Sequence, residues 1–254
     1  MRHKLLGTCV LLLTLLLVTA SSAYADTIAI TTVNLSNLQI IPTSGTVVLS
    51  TPQGPQTAAS AAAINTFDEE GGDSESGPTH SEASFSITLA TVNSLADFST
   101  RTLSANTNVT IPGCRCEAET EANAVLRLAF TIVGGTGPVD VTFSALTQTL
   151  QTLVRDQFST FAVSEARITL NVIGVQSFSF DSRLRAMPNE VITLEVQRLL
   201  SEVVTLQFNQ EYTLLVGLNA VSRAGSNEVP EPATVFLLLS GLGFTAGVVK
   251  KRRK

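Results

Sequence analysis

Glu117-Ala-Glu-Thr-Glu-Ala-Asn-Ala-Val-Leu-Arg-Leu-Ala-Phe-Thr-Ile-Val133 is the longest clean two-residue alternation in this chain of 254 residues. Ala122, Ala124, Leu126, Leu128, Phe130 and Ile132 share one face, while Glu117, Glu119, Glu121, Asn123 and Arg127 share the other. Successive side chains of a strand point to opposite faces, so the stretch reads as one strand with a buried side and a wet side. At ~3.3 Å per residue it would run roughly 55 Å, longer than most strands, which predicts a bend or a bulge along it. Its three glutamates form an acidic ladder.

The same pattern recurs on both sides of that stretch. Phe85, Ile87 and Leu89 alternate with Ser84, Ser86 and Thr88. After the turn Gly134-Gly-Thr-Gly-Pro138 come Val139, Val141 and Phe143, whose strand alternation makes these glycines hairpin chemistry and not a phosphate cradle. Ile168, Leu170 and Val172, then Phe178 and Phe180, then Ile192, Leu194 and Val196, then Val204, Leu206 and Phe208, and finally Tyr212 to Ala220 repeat the alternation. Several strands separated by polar turns predict a mainly β fold, an antiparallel β-sandwich with a jelly-roll order among those it allows.

Other segments are read with less pattern to guide them. At the front, Ile28, Ile30 and Val33 are the inward candidates, and Leu38–Ile41 and Thr46–Leu49 form a hairpin or two edge strands across Pro42–Gly45. Ser94 to Leu103 is assigned to a loop over the core. Ser144 to Phe161, with Leu146, Leu150 and Leu153 at near-helical spacing, is assigned to β structure with a turn at Arg155-Asp156. Residues from about 50 to 82 are rich in Pro, Gly, Ala, Ser and acid, which predicts a disordered acidic surface loop, with a short helical turn near Ser60–Phe67. Its core, Asp68-Glu-Glu-Gly-Gly-Asp-Ser-Glu75, lacks the spacing of a twelve-residue calcium loop.

Little in the body suggests catalysis. His80 is the one histidine beyond the first twenty-five residues, and no Gly-x-Ser-x-Gly elbow or histidine pair accompanies it. With no Trp and a single Tyr, Tyr212, in the body, aromatic platforms for sugars are absent too. The expectation is no enzyme, no cofactor and no metal. Cys114 and Cys116 read first as a local disulfide, second as free thiols and third as metal ligands, two thiols being too few for structural zinc.

Charge and hydropathy separate the ends from the middle. Residues 26–228 carry twenty carboxylates against nine arginines and no lysine, a formal charge of about −11. Such a body has no footprint for nucleic acid. At the front, Arg2 and Lys4, an apolar run from Leu5 to Val18 and the small-x-small pair Ala23 and Ala25 form a secretory signal peptide over residues 1–25. At the back, Pro230-Glu231-Pro232 precedes an uncharged run over 233–249, and Lys250, Lys251, Arg252, Arg253 and Lys254 end the chain. As a helix that run spans roughly 25 Å, near the lower limit for crossing a bilayer, and the cations hold its end in the cytoplasm. Gly243 and Gly247 make a Gly-x-x-x-Gly pair within it. The resulting division is signal peptide 1–25, ectodomain 26–222, polar linker 223–228 and a terminal segment 229–254.

The terminal segment resembles the PEP-CTERM sorting signal of Gram-negative bacteria, in which Pro-Glu-Pro, an apolar helix and a basic end are read by a membrane protease-transpeptidase, exosortase. The resemblance covers about a tenth of the chain. One departure is Ala233-Thr-Val-Phe236, where Ser-Thr and an early aromatic are common. The resemblance implies exosortase as partner, passage through the inner membrane, and association with exopolysaccharide or biofilm matrix at the cell surface. The alternatives are a permanently anchored periplasmic binding protein and a carbohydrate-binding or calcium-dependent adhesive module.

Overall fold

The computed structural model describes residues 26–50, 54–112, 114–156 and 159–226. The expected signal peptide, membrane helix and sorting motif lie outside the described residues. The strands are β1 (Thr27–Pro42), β2 (Thr46–Ser50), β3 (Thr57–Asn65), β4 (Glu70–Gly77), β5 (His80–Ile87), β6 (Ala90–Asp97), β7 (Thr102–Ile111), β8 (Cys116–Val133), β9 (Pro138–Arg155), β10 (Ser159–Val172), β11 (Gln176–Arg185), β12 (Glu190–Gln207) and β13 (Glu211–Ser226). One sheet has the order β12-β9-β1-β7-β6-β5, and the other β11-β10-β13-β8-β3-β4 with β2 also on β8. Every pairing is antiparallel.

The opening stretch forms β8, at the middle of its sheet, and its apolar side is buried throughout. Its pairing with β13 runs from Thr131 opposite Glu211 to Cys116 opposite Ser226 without a shift, so the expected bulge is not there. β13 pairs with it continuously from Cys116 to Thr131, and β3 and β2 share its other side, so the sheet holds it in one piece. The bulge falls instead in β1, between Ser36 and Gln39, where Asn37 takes a positive φ of 54°. β1 is thus one strand through Pro42. Leu38–Ile41 and Thr46–Leu49 are not a hairpin, because the chain crosses between sheets at that turn and β2 joins β8.

Within the core Phe130 meets Phe143 edge-on at 5.8 Å and Tyr212 at the same distance. Between the apolar side chains of the two sheets runs a buried polar seam. The Thr31 hydroxyl is fully buried, 2.6 Å from the Ser164 hydroxyl, 2.9 Å from that of Ser222 and 2.9 Å from the Val221 carbonyl. The Thr107 hydroxyl lies 2.8 Å from that of Ser222. The Gln151 amide donates to the Ser164 carbonyl at 3.0 Å and accepts from the Ser182 hydroxyl at 2.6 Å. This seam joins β1, β7 and β9 of one sheet to β10, β11 and β13 of the other. It also corrects the reading of β1, whose inward side is Thr27, Ala29, Thr31, Val33 and Leu35, with Ile28 and Ile30 on the outside. In β9 the inward residues are likewise Thr147, Thr149 and Gln151, while Leu146 and Leu150 face out.

The acidic segment is strand and not loop. β3 packs Ala59, Ala61 and Ala63 into the core, where the helical turn was expected, and β4 comes next as its hairpin partner. The carboxylates of and before β4 reach β5, the outermost strand of the opposite sheet. Glu75 accepts from the Glu82 amide at 2.7 Å, Asp73 from the Ser84 amide at 3.2 Å, and Glu69 from the Thr88 amide at 3.1 Å and hydroxyl at 2.9 Å. Edge N–H groups that would otherwise face water are thereby covered. Gly71 permits the approach, since a Cβ there would stand 2.4 Å from the Phe85 ring. The stretch from Ser94 to Leu103 is also not a loop but the hairpin of β6 and β7.

Both the polar seam and the carboxylate edge are open to measurement. Thr31→Val, which keeps shape and removes the hydroxyl, should lower stability by about 1–3 kcal/mol in chemical denaturation, while Thr32→Val on the outer face should leave it within about 0.5 kcal/mol. At the edge, the Thr88 amide and hydroxyl, then the Asn65 amide, hold Glu69 below the ordinary carboxylate range. A carboxyl depressed on folding stabilises above its unfolded value of about 4.3 and loses that contribution as pH falls towards the folded one. Hydrogen exchange at Thr88, corrected for the intrinsic rate, should therefore accelerate relative to the β8–β13 amides as the pH is taken below about 4.

Candidate functional site

The described chain begins and ends at one end of the sandwich. Thr27 opens β1 opposite Ile111, and its hydroxyl is hydrogen-bonded to that of Ser159. Ser159 in turn stands opposite Ser226, the last residue of β13. Here the sequence reading needs correction, because residues 223–226 are not linker. Ser222, Ala224 and Ser226 form a buried face too small to register as an apolar alternation, and Arg223 on the other side pairs with Glu119 at 2.8 Å. β13 is held along this end by β8 on one side and β10 on the other.

A shallow cavity of about 220 Å³ opens at the same end, lined by Ile64, Asn65, Glu117, Glu119, Phe161 and Arg223 among others. Cys114 and Cys116 lie beside the start of β8, joined by a disulfide with their Cα atoms 5.3 Å apart. The Cys116 amide also donates to the Cys114 carbonyl at 2.9 Å. Arg155 closes the β9–β10 turn by donating to the Ser159 carbonyl at 3.0 Å and the Ala186 carbonyl at 2.9 Å. Asp156 accepts from the Ser159 amide at 2.7 Å. Every one of these contacts tightens the place from which the chain leaves the fold.

The acidic ladder of β8 is engaged by its neighbour. Asn219 donates to Glu121 at 2.8 Å and to Asn123 at 2.8 Å, and Arg223 takes Glu119. These cross-strand partners come from β13, about a hundred residues away, so local sequence does not announce them. His80 stands half-exposed at the far end of the sandwich, 3.5 Å from Asp97 and 4.0 Å from Glu82. Asp97 is held well below the usual carboxylate range by the Ser99 hydroxyl and the Thr100 amide. Among the described residues no serine hydroxyl or thiol is hydrogen-bonded to His80, and no three His, Cys, Asp or Glu are placed to hold a metal.

Of the residues singled out from sequence, Cys114 and Cys116 are therefore placed by the structure, while Ala23, Ala25, Pro230, Glu231, Pro232, Lys250, Lys251, Arg252, Arg253 and Lys254 lie outside the described residues. The edge-covering carboxylates Glu69, Asp73 and Glu75 went unread; the two-residue spacing of Asp73 and Glu75 was the available signal.

No curated protein matches the chain. The terminal residues 228–254, which begin two positions beyond the end of β13, match the family model of the PEP-CTERM protein-sorting motif, and that motif implies exosortase-dependent sorting of an exported protein.

Proposed function

We propose that the chain is a non-enzymatic structural or matrix protein of the cell surface. It is held first in the inner membrane by a helix over residues 233–249 and then processed at Pro230-Glu231-Pro232 for release or attachment among exopolysaccharide. The observation that carries this reading is the sorting motif at residues 228–254, set directly after the last strand. Pro230 and Pro232 fix φ and exclude helix, which keeps the recognition segment extended, and Glu231 places a charge between them. Lys250 to Lys254 set the orientation of the span.

The geometry of the body adds a constraint. Three residues lie between Ser226 and Pro230, and the four Cα-to-Cα steps give an extended reach of at most about 14 Å at ~3.3–3.6 Å each. A processing enzyme at the membrane surface must then work against the end of the sandwich that carries Ser226, the Cys114–Cys116 bridge and the β9–β10 turn. A well-braced end suits that position, since β13 stays paired on both sides up to Ser226. The non-enzymatic part of the proposal draws support from His80, which faces carboxylates and no nucleophile among the described residues.

Mass spectrometry of the surface-associated protein from hosts with and without exosortase should find the C-terminus near the Pro-Glu-Pro motif in the first and intact Lys254 in the second. Intact Lys254 on surface protein from the normal host would overturn the proposal. Replacing Pro230, Glu231 and Pro232 together by alanine should leave the full-length chain in the inner-membrane fraction.

A further inference from the structure

The two long edges of the sandwich are finished differently. At the β4–β5 edge carboxylates cover the outer amides. At the opposite edge lie β11 and β12, and among the described residues no hydrogen bond or ion pair joins them. The Arg198 guanidinium does reach across, 5.4 Å from the centre of the Phe180 ring. A cavity of about 60 Å³ opens between the two strands, lined by Phe178, Phe180, Arg198, Leu200 and Glu202.

Apart from its charged side chains, β12 carries few of the devices that blunt an edge strand. It is 18 residues long, holds no proline or lysine, and pairs with β9 from Glu190 to Gln207 without a bulge. Its outer face sets exposed apolar side chains among polar ones: Leu199 is 66 % and Val203 58 % exposed, beside Leu146 of β9 at 43 %. On its other face Arg198 and Glu202 flank Leu200. Four residues apart on one strand, they stand roughly 13 Å from each other and cannot pair within the chain. Neither belongs to any ion pair among the described residues.

Charge complementarity identifies the occupant. If a second copy of β12 lies antiparallel to the first about a twofold axis at Leu200, Arg198 of each copy faces Glu202 of the other, twice over, and Leu200 faces itself. This register keeps inner face on inner face, as the strand period demands. The unpaired backbone groups of both edges are then satisfied. The inner residues of the second copy continue the core across the open cavity, and Leu199 and Val203 of both copies gather beside the axis. We propose that the protein forms a homodimer by antiparallel pairing of β12 with β12, fixed in register by reciprocal Arg198–Glu202 contacts. A twofold contact of this kind is closed, so it makes dimers and not fibres.

The test uses the full chain in detergent, with protein mass measured by light scattering across the micromolar range and folding checked by circular dichroism. The wild type should be dimeric. Arg198→Glu and Glu202→Arg should each place two like-charge pairs across the axis and shift the protein to monomer, while the double variant R198E/E202R should restore the dimer. A monomeric wild type overturns the proposal. So does a dimer that ignores the single substitutions, which would place association in the Gly243–Gly247 tail or elsewhere, and so does failure of the double variant to recover.

Discussion

The Thr31 hydroxyl, buried between the sheets with Ser164 and Ser222, is the contact on which the arrangement of this protein most depends. Two sheets with purely aliphatic inner faces can slide over one another at modest cost, since one methyl contact replaces another. Here a slide by one two-residue repeat would separate Thr31 from Ser164 and Ser222, Thr107 from Ser222 and Gln151 from Ser164 and Ser182 at once. Each polar group orphaned in the interior costs about 1–3 kcal/mol, which exceeds what a re-formed methyl contact returns. The aromatic cluster of Phe130, Phe143 and Tyr212 supplies apolar burial, and the seam supplies position.

The same seam explains which strands could be read from sequence. β8, β10 and β13 were legible because their inner positions hold Leu, Ile, Val and Phe in strict alternation. β1 and the second half of β9 were legible as β structure but not in their facing, because Thr31, Thr147, Thr149 and Gln151 occupy inner positions while Ile28, Ile30, Leu146 and Leu150 lie outside. A rule that sends apolar residues inward inverts such strands. The acidic strand β4 failed for another reason. Its low hydrophobicity is real, but it is held by its ladder to β3 beside it and by carboxylates bonded to the β5 edge, partners that composition does not reveal. The end of β13 was hidden by size, since Ser222, Ala224 and Ser226 bury well yet look like a polar linker.

The functional segment was legible for the opposite reason. A sorting signal is read as an extended, contiguous string by another protein, so its chemistry is local: proline to bar helix, an apolar run to enter lipid, cations to stop. Nothing about it depends on a fold. The body depends almost entirely on residues distant in sequence, with Thr31 and Ser222 separated by 191 positions, and its role is set by where the motif delivers it.

The position of Ser226 also governs how the molecule meets force. On the function proposed above, with the tail held in a membrane and the far end of the body caught by surrounding material, tension enters β13 along the strand axis. The ladders that tie β13 to β8 and β10 run perpendicular to that direction. The pull is then shared as shear over many bonds together, in place of opening them one after another from a free end. A body threaded in this way is built like a lap joint, and it resists being drawn out by the strand that anchors it.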